Sequence, residues 1–282
     1  MTEIKRPWGK YGTLVESDPL SEAGLHWHVN LLPQFVAINE QLIPTENFAY
    51  VKGRDHKVLH SNVGPKQNPL QNHEALDIFK QYKCRIMAAG TLKDDSLVWF
   101  LGQTNHKFNI QNETCRAHVL FTNYHEPLSK PDVRYLLIKK KSFITLSSEL
   151  IAEYPRADDI DPAFIESVVI KKTNEWEYRV NRMLADGDAT SLIKRVFPMS
   201  GKGKSKWDIS IPARRTFAAL DEMGGDTWWD AYGVICYSID YLLGHGDRTR
   251  LESSWYGINQ DRKELALKYI MQRTKNKIDL VK

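Results

Sequence analysis

The chain has 282 residues, 42% of them hydrophobic and 26% charged, with a formal net charge of +4. Such values exclude a disordered, collagen-like or coiled-coil chain and leave ample apolar material for a real core. No stretch approaches the roughly 18 to 20 uninterrupted apolar residues that a bilayer span demands. No apolar run follows the charges of the opening residues, and Cys84, Cys115 and Cys236 lie far apart without CxxC spacing. The expectation is a cytoplasmic protein without disulfides, zinc ribbon or membrane partner. The aromatic content, with eight Trp and twelve Tyr, is the unusual number.

In chain order, residues 1 to 45 read as turn-rich, with one short strand from Trp27 to Leu32. A strand over Asn47 to Lys52, the turn Lys52-Gly53-Arg54-Asp55 and a return strand to His60 form a predicted hairpin. Residues 62 to 72 read as a loop, after which Asn72 caps a helix running to Lys83. Arg85 to Leu92 and Leu97 to Gln103 give a second hairpin, followed by strands over Ala117 to Tyr124 and Val133 to Lys139. Helical periodicity with Pro162 in the first turn predicts a long helix from Asp161 to Leu184. Pro198 to Pro212 is a loop by composition. The remainder is helical, with one helix over Thr227 to Leu243, a break at Gly244-His245-Gly246 and another helix from Asp261 to Arg273. The predicted class is α+β: an antiparallel sheet over residues 84 to 143 backed by the helices at 72–83 and 161–184. Residues 1 to 190 would form the α+β core with an N-terminal extension. Residues 191 to 282 would hold a basic loop and a helical region, in the same domain or a second one.

The net charge is small, yet the basic residues are not evenly spread. Between Lys194 and Arg215 stand seven basic residues (Lys194, Arg195, Lys202, Lys204, Lys206, Arg214, Arg215) and the single acid Asp208. A smaller knot joins Arg134 to Lys139, Lys140 and Lys141. Local patches on a near-neutral chain suit selective contact with a polyanion. In Lys202-x-Lys204-x-Lys206-Trp207, alternating lysines offer point charges to successive phosphates and the indole offers a face to a base. A solvated loop is the plainer reading of the same residues. Gly201-Lys202-Gly203-Lys204-Ser205 ends like a phosphate loop but lacks the earlier glycine of a Walker motif.

Three further groupings invite chemistry. His26 and His28 share a strand face, but zinc needs three or four ligands and no other pair completes the set. Cys115 and His118 would point to opposite faces of their strand, which separates nucleophile from base. His245 between two glycines, near Asp240 and Asp247, could do acid–base work, although a helix-to-helix turn explains both glycines equally well. Trp228, Trp229, Tyr232 and Tyr237 on one helix read as core. No catalytic residue, metal or cofactor is assigned.

Several short signatures line up with one family. Trp8-Gly9-Lys10-Tyr11-Gly12, Ala23 to Trp27, Pro69-Leu70-Gln71-Asn72, Ala89 to Leu92 with Val98-Trp99, and Thr122-Asn123-Tyr124-His125 come first. Thr227-x-Trp229-x-Ala231-Tyr232, Tyr237-x-x-Asp240, Arg250, Ser253, Gly257 and Lys263-x-x-Ala266-Leu267 follow. On these residues the chain resembles the phage/plasmid-like proteins that carry domain of unknown function 932. It departs from them at Asn68, where an aromatic is usual, and at the Lys139-Lys140-Lys141 stretch, which replaces a Cys- and Asn-containing signature. The resemblance implies a mobile-element protein of the host cytoplasm and no settled activity. The order helix, hairpin, strand, long helix also resembles the core of single-strand annealing recombinases. The combined expectation is a sequence-independent single-stranded DNA-binding, homo-oligomeric protein serving recombination. Its phosphate contacts would be Arg134, Lys139, Lys140, Lys141, Lys202, Lys204, Lys206, Arg214 and Arg215, with Trp207 for stacking. The alternatives are a phage enzyme acting on nucleotides, and an interaction protein that counters a host defence factor.

Overall fold

The computed structural model describes residues 6–154, 161–197, 210–243 and 247–278, the side chains of 247–250 and 275–278 excepted. The elements begin with β1 (Gly12–Leu14), α1 (Pro19–Glu22), β2 (Val29–Ile38), β3 (Gln41–Lys52), β4 (Val58–Val63) and α2 (Asn72–Lys80). Next come β5 (Arg85–Leu92), β6 (Leu97–Ile110), β7 (Glu113–Tyr124), β8 (Asp132–Lys139), β9 (Thr145–Glu153) and α3 (Pro162–Met183). The chain then turns helical with α4 (Ala189–Val196), α5 (Ile211–Met223), α6 (Trp228–Tyr237), α7 (Asp247–Tyr256) and α8 (Ile258–Ile278). A five-residue π turn, Ser238–Leu242, extends α6. The class is α+β, as the alternation of hairpins and helical periods predicts.

The main sheet has six antiparallel strands in the order β1-β5-β6-β7-β8-β9, and β2-β3-β4 form a separate three-stranded sheet. Strand side chains alternate between faces, and here both faces are apolar. On one face Val98, Phe100, Phe121, Tyr135 and Leu137 meet Phe79 of α2 and Val169 and Trp176 of α3. On the other, Trp99 stands between Trp8 and Trp255, ring centroids 6.1 and 5.2 Å away, with Leu251 of α7 beside them. Gly90 lets the N-terminal segment close over this face, since a Cβ there would lie 2.1 Å from the Tyr11 carbonyl oxygen. Every tryptophan among the described residues is buried, so the unusual aromatic content is core material. One cluster of buried residues runs from Val15 to Ile270 and joins the two segments that the sequence separates at residue 190.

The boundaries differ from expectation where side chains decide them. Gln71, not Asn72, caps α2, forming a reciprocal box with Glu74. The Asn72 amide turns inward instead and donates to the Leu25 carbonyl at 3.1 Å. Residues 29 to 52 form one long hairpin about Asn39 and Glu40, both at positive φ, where the sequence reads as two unconnected strands. The main sheet continues through β9 to residue 153, ten residues beyond the expected limit of 143. Pro212 lies inside α5, where its fixed φ suits the first turn, and Ser210 caps that helix.

Strand β9 is the last of its sheet, so one side of it has no strand partner. Side chains fill that role. The Asp240 carboxylate accepts the Thr145 N–H at 2.7 Å, and Lys263 Nζ donates to the Thr145 carbonyl at 2.5 Å. Tyr232 OH donates to the Leu146 carbonyl at 2.7 Å, and Gln260 Oε1 accepts the Ser148 N–H at 3.0 Å. Asp240 and Lys263 also pair with each other at 2.7 Å with no exposure of either side chain. Ser254 Oγ accepts the third ammonium proton at 2.9 Å and donates to Asp240 at 2.6 Å. All three protons of the Lys263 ammonium have acceptors, the condition under which a buried charge is tolerable.

Removing one member leaves the other charged and dry. Lys263→Met and Asp240→Leu are each expected to cost about 3–5 kcal/mol in urea unfolding, with the double variant less destabilised than the sum of the two. Single losses under about 1 kcal/mol would show that the pair does not hold the β9 edge.

Candidate nucleic-acid interface

The basic residues singled out in the sequence fall into three groups. Arg134 and Lys139 are committed inside the protein. Arg134 Nε lies 3.1 Å from Asp132, its Nη1 donates to the Trp255 carbonyl at 3.3 Å, and its guanidinium stacks 4.8 Å from the Tyr256 ring centre. Lys139 is 6% exposed, with Nζ 2.7 Å from Glu113 and 4.3 Å from the Trp229 ring centre. A phosphate reaches neither without displacing these partners.

Lys140, Lys141, Arg214 and Arg215 are exposed. The lysines ride the turn between β8 and β9, and Lys141 Nζ donates to the Asn112 carbonyl at 3.1 Å. The arginines stand on the first turns of α5. Lys202, Lys204, Lys206 and Trp207 lie outside the described residues, as does His245, and the Asp247 side chain is likewise outside them.

Two hydrogen bonds link the segments that carry the exposed groups through the π turn. Tyr241 OH donates to the carbonyl of Ser142, next to Lys141, at 2.7 Å. Arg215 Nη1 donates to the carbonyl of Leu242, next to Tyr241, at 2.7 Å. The π turn is thus gripped by the lysine-bearing turn on one side and by α5 on the other. Between α5 and the π turn runs a groove of about 400 Å³, lined by Arg215, Tyr237, Tyr241 and the acid Glu222. The Tyr237 and Tyr241 rings lie 5.3 Å apart at 37°, with Tyr237 half-buried and its partner ring buried behind it. Lys194 and Arg195 are exposed at the end of α4, the helix that contacts α5. Tyr237, expected in the core, does pack against it but is only half-buried.

The larger cleft beside β9, about 580 Å³, bears on the enzymatic alternative. Its half-buried acid is Glu149. Burial alone would raise that carboxyl, but the Lys172 ammonium, Trp176 Nε1 at 3.0 Å and Ser147 Oγ at 2.9 Å outweigh it and hold it below the usual carboxylate range. Both Glu149 oxygens are occupied in fastening α3 to β9, and the carboxyl is held ionised. Burial pushes the thiols of Cys84, Cys115 and Cys236 up to about 12, which keeps them protonated at neutral pH. Cys115 faces α3, and His118 lies in register with Gln103 on the opposite face. His28 meets His73 edge-on at 5.9 Å while His26 sits 3.3 Å from Asp18, and no metal-sized group of three ligands occurs among the described residues. Asp240 belongs to the ion pair at the β9 edge.

Comparison with protein-family models, with curated proteins and with solved structures gave no match.

Two buried histidines, His118 in β7 and His125 just beyond it, make the fold sensitive to acid. Burial lowers His118 and His125 from 6.5 to about 4. His125 Nε2 donates to Asn72 Oδ1 at 3.0 Å, and its Nδ1 has no partner among the described residues, so a second proton would be buried without an acceptor there. The unfolded chain takes up these protons near pH 6.5 and the folded chain does not. Stability therefore falls as pH drops from about 6.5 towards 4, by about 3 kcal/mol for each histidine. Urea midpoints at pH 7 and pH 5 are expected to converge in His125→Gln relative to wild type. An unchanged difference would exclude His125 as a source.

Proposed function

We propose that the protein binds single-stranded nucleic acid without sequence preference, as part of strand pairing or recombination and working as a multimer along the strand. The reading is supported by the hydrogen-bond chain Ser142–Tyr241 and Leu242–Arg215, which joins two basic segments 73 residues or more apart in sequence beside an aromatic groove. Lys140, Lys141, Arg214 and Arg215 hold phosphates. The open face of Tyr237, stiffened by Tyr241 behind it, takes a base. Stacking needs only a π-face, which every base has, so such a groove is indifferent to sequence. In sequence, Lys202, Lys204, Lys206 and Trp207 fall between α4 and α5, both of which carry exposed basic residues. Glu222, an acid on the groove wall, repels phosphate from its own part of the groove. The resemblance to mobile-element proteins and the absence of a Walker motif agree with a binding role that consumes no nucleotide.

Titration of labelled oligo-dT at several salt concentrations tests this. The Lys140→Ala/Lys141→Ala/Arg214→Ala variant is expected to flatten the log–log salt slope by up to about two units, at about 0.7 per lost contact on single strands. Tyr237→Ala is expected to weaken binding by about 1–3 kcal/mol with the slope unchanged. A wild-type protein that fails to bind at low salt, or slopes identical in both proteins, rejects the reading.

A further inference from the structure

We infer that the β2–β3 hairpin is an assembly arm, and that its tip seats in trans in the cleft at the foot of the same hairpin on a second copy of this chain. The inference goes beyond the nucleic-acid reading and is tested without nucleic acid, so either can fail alone. Every residue from Phe35 to Pro44 is exposed. Leu32, Phe35, Val36, Ile38, Leu42 and Ile43 are 43 to 71% exposed, the equivalent of about three whole side chains or about 500 Å² of apolar surface per arm. The register divides them between both faces, because Val36 opposes Ile43 while Ala37 opposes Leu42. Strand β4 pairs only with residues 48 to 51 of β3, so the tip is a ribbon with two open edges. An isolated two-stranded ribbon is marginal in water and aggregates unless covered. From Val29 to Val51 there is no basic residue, which excludes phosphate as the partner, and Glu40 at the turn is the tip's one charge.

The chain also carries a receptor. A cleft of about 660 Å³ opens beside Tyr50, Leu70, Leu128, Lys130 and Pro131. Leu128 is 88% exposed and holds a left-handed backbone, φ 63°. A leucine so placed adds nothing to its own fold, and the conformation costs about 1 kcal/mol. The cleft's carboxylates are engaged, Glu74 with the Gln71 N–H and Glu126 with Lys93. Lys130 has no ionic partner among the described residues and matches Glu40. Tyr50 is in register with Leu31, seven residues from Ile38, so an arm's own tip stands about 20 Å or more from its own cleft. Only another copy's tip can enter. Such a contact is head-to-tail and propagates into a ring or filament.

Light scattering after size exclusion, over a range of protein concentrations, tests the arm. Wild type is expected to run as a concentration-dependent multimer. The arm variant Phe35→Ser/Val36→Ser/Leu42→Ser and the cleft variant Leu128→Asn/Lys130→Glu are each expected at the 32.6 kDa of one chain. Asparagine accepts the left-handed conformation, so the cleft variant keeps its fold. An equimolar mixture of the two variants retains one sound arm and one sound cleft and should stop at a dimer. Reversing both charges in one chain, Glu40→Lys with Lys130→Glu, should restore the multimer. A monomeric wild type, an unaffected cleft variant, or a mixture that stays monomeric would overturn the proposal. So would a monomer that floats with phosphatidylcholine vesicles through its arm.

Discussion

The outer edge of β9 is the constraint on which the rest depends. A sheet edge presents unpaired N–H and C=O groups, and burying one without partners costs more than any single packing contact returns. Here the partners come from Tyr232, Asp240, Gln260 and Lys263, on three helical elements far along the chain. The helical C-terminal part is therefore not an appendage. It completes the sheet, and in doing so fixes α6, the π turn and α8 against residues 145 to 148.

That fixing positions the proposed binding surface. The π turn points Asp240 inward to Thr145 while the next residue, Tyr241, reaches outward to Ser142. Single-turn π insertions are rare and recur at functional sites. The lysine-bearing turn, the tyrosine pair and Arg215 thus share a geometry set by a dry ion pair beneath them. Lys139 shows the same division within three consecutive lysines. It packs on Trp229 and holds the turn, leaving Lys140 and Lys141 in water.

Much of the central fold was legible because it obeys short-range rules. Strands β5 to β8 alternate apolar faces or run continuously apolar between clear turns, and α3 announces itself by period and by Asp161-Pro162. Strand β9 was not legible, since Thr145-Leu146-Ser147-Ser148-Glu149 pairs with β8 on one side only and its outer edge is satisfied by side chains about a hundred residues away. The long β2–β3 hairpin was missed because its turn is Asn-Glu rather than Asn-Gly, and Pro33 and Pro44 read as breakers. For the candidate site, counting charge found all four exposed basic residues but could not separate them from Arg134 and Lys139, whose burial depends on Asp132, Glu113 and two aromatic rings. The tyrosine pair was hidden for the opposite reason: an aromatic on an apolar helix is core unless the helix changes pitch.

Hydrogen–deuterium exchange of the full chain, alone and saturated with oligo-dT, tests the central claim that two distant basic segments act as one surface. The account predicts slowed exchange in residues 139 to 143 and in residues 211 to 242 together, at the same oligonucleotide concentration. Protection of only one segment, or of neither while binding is saturated, would contradict it.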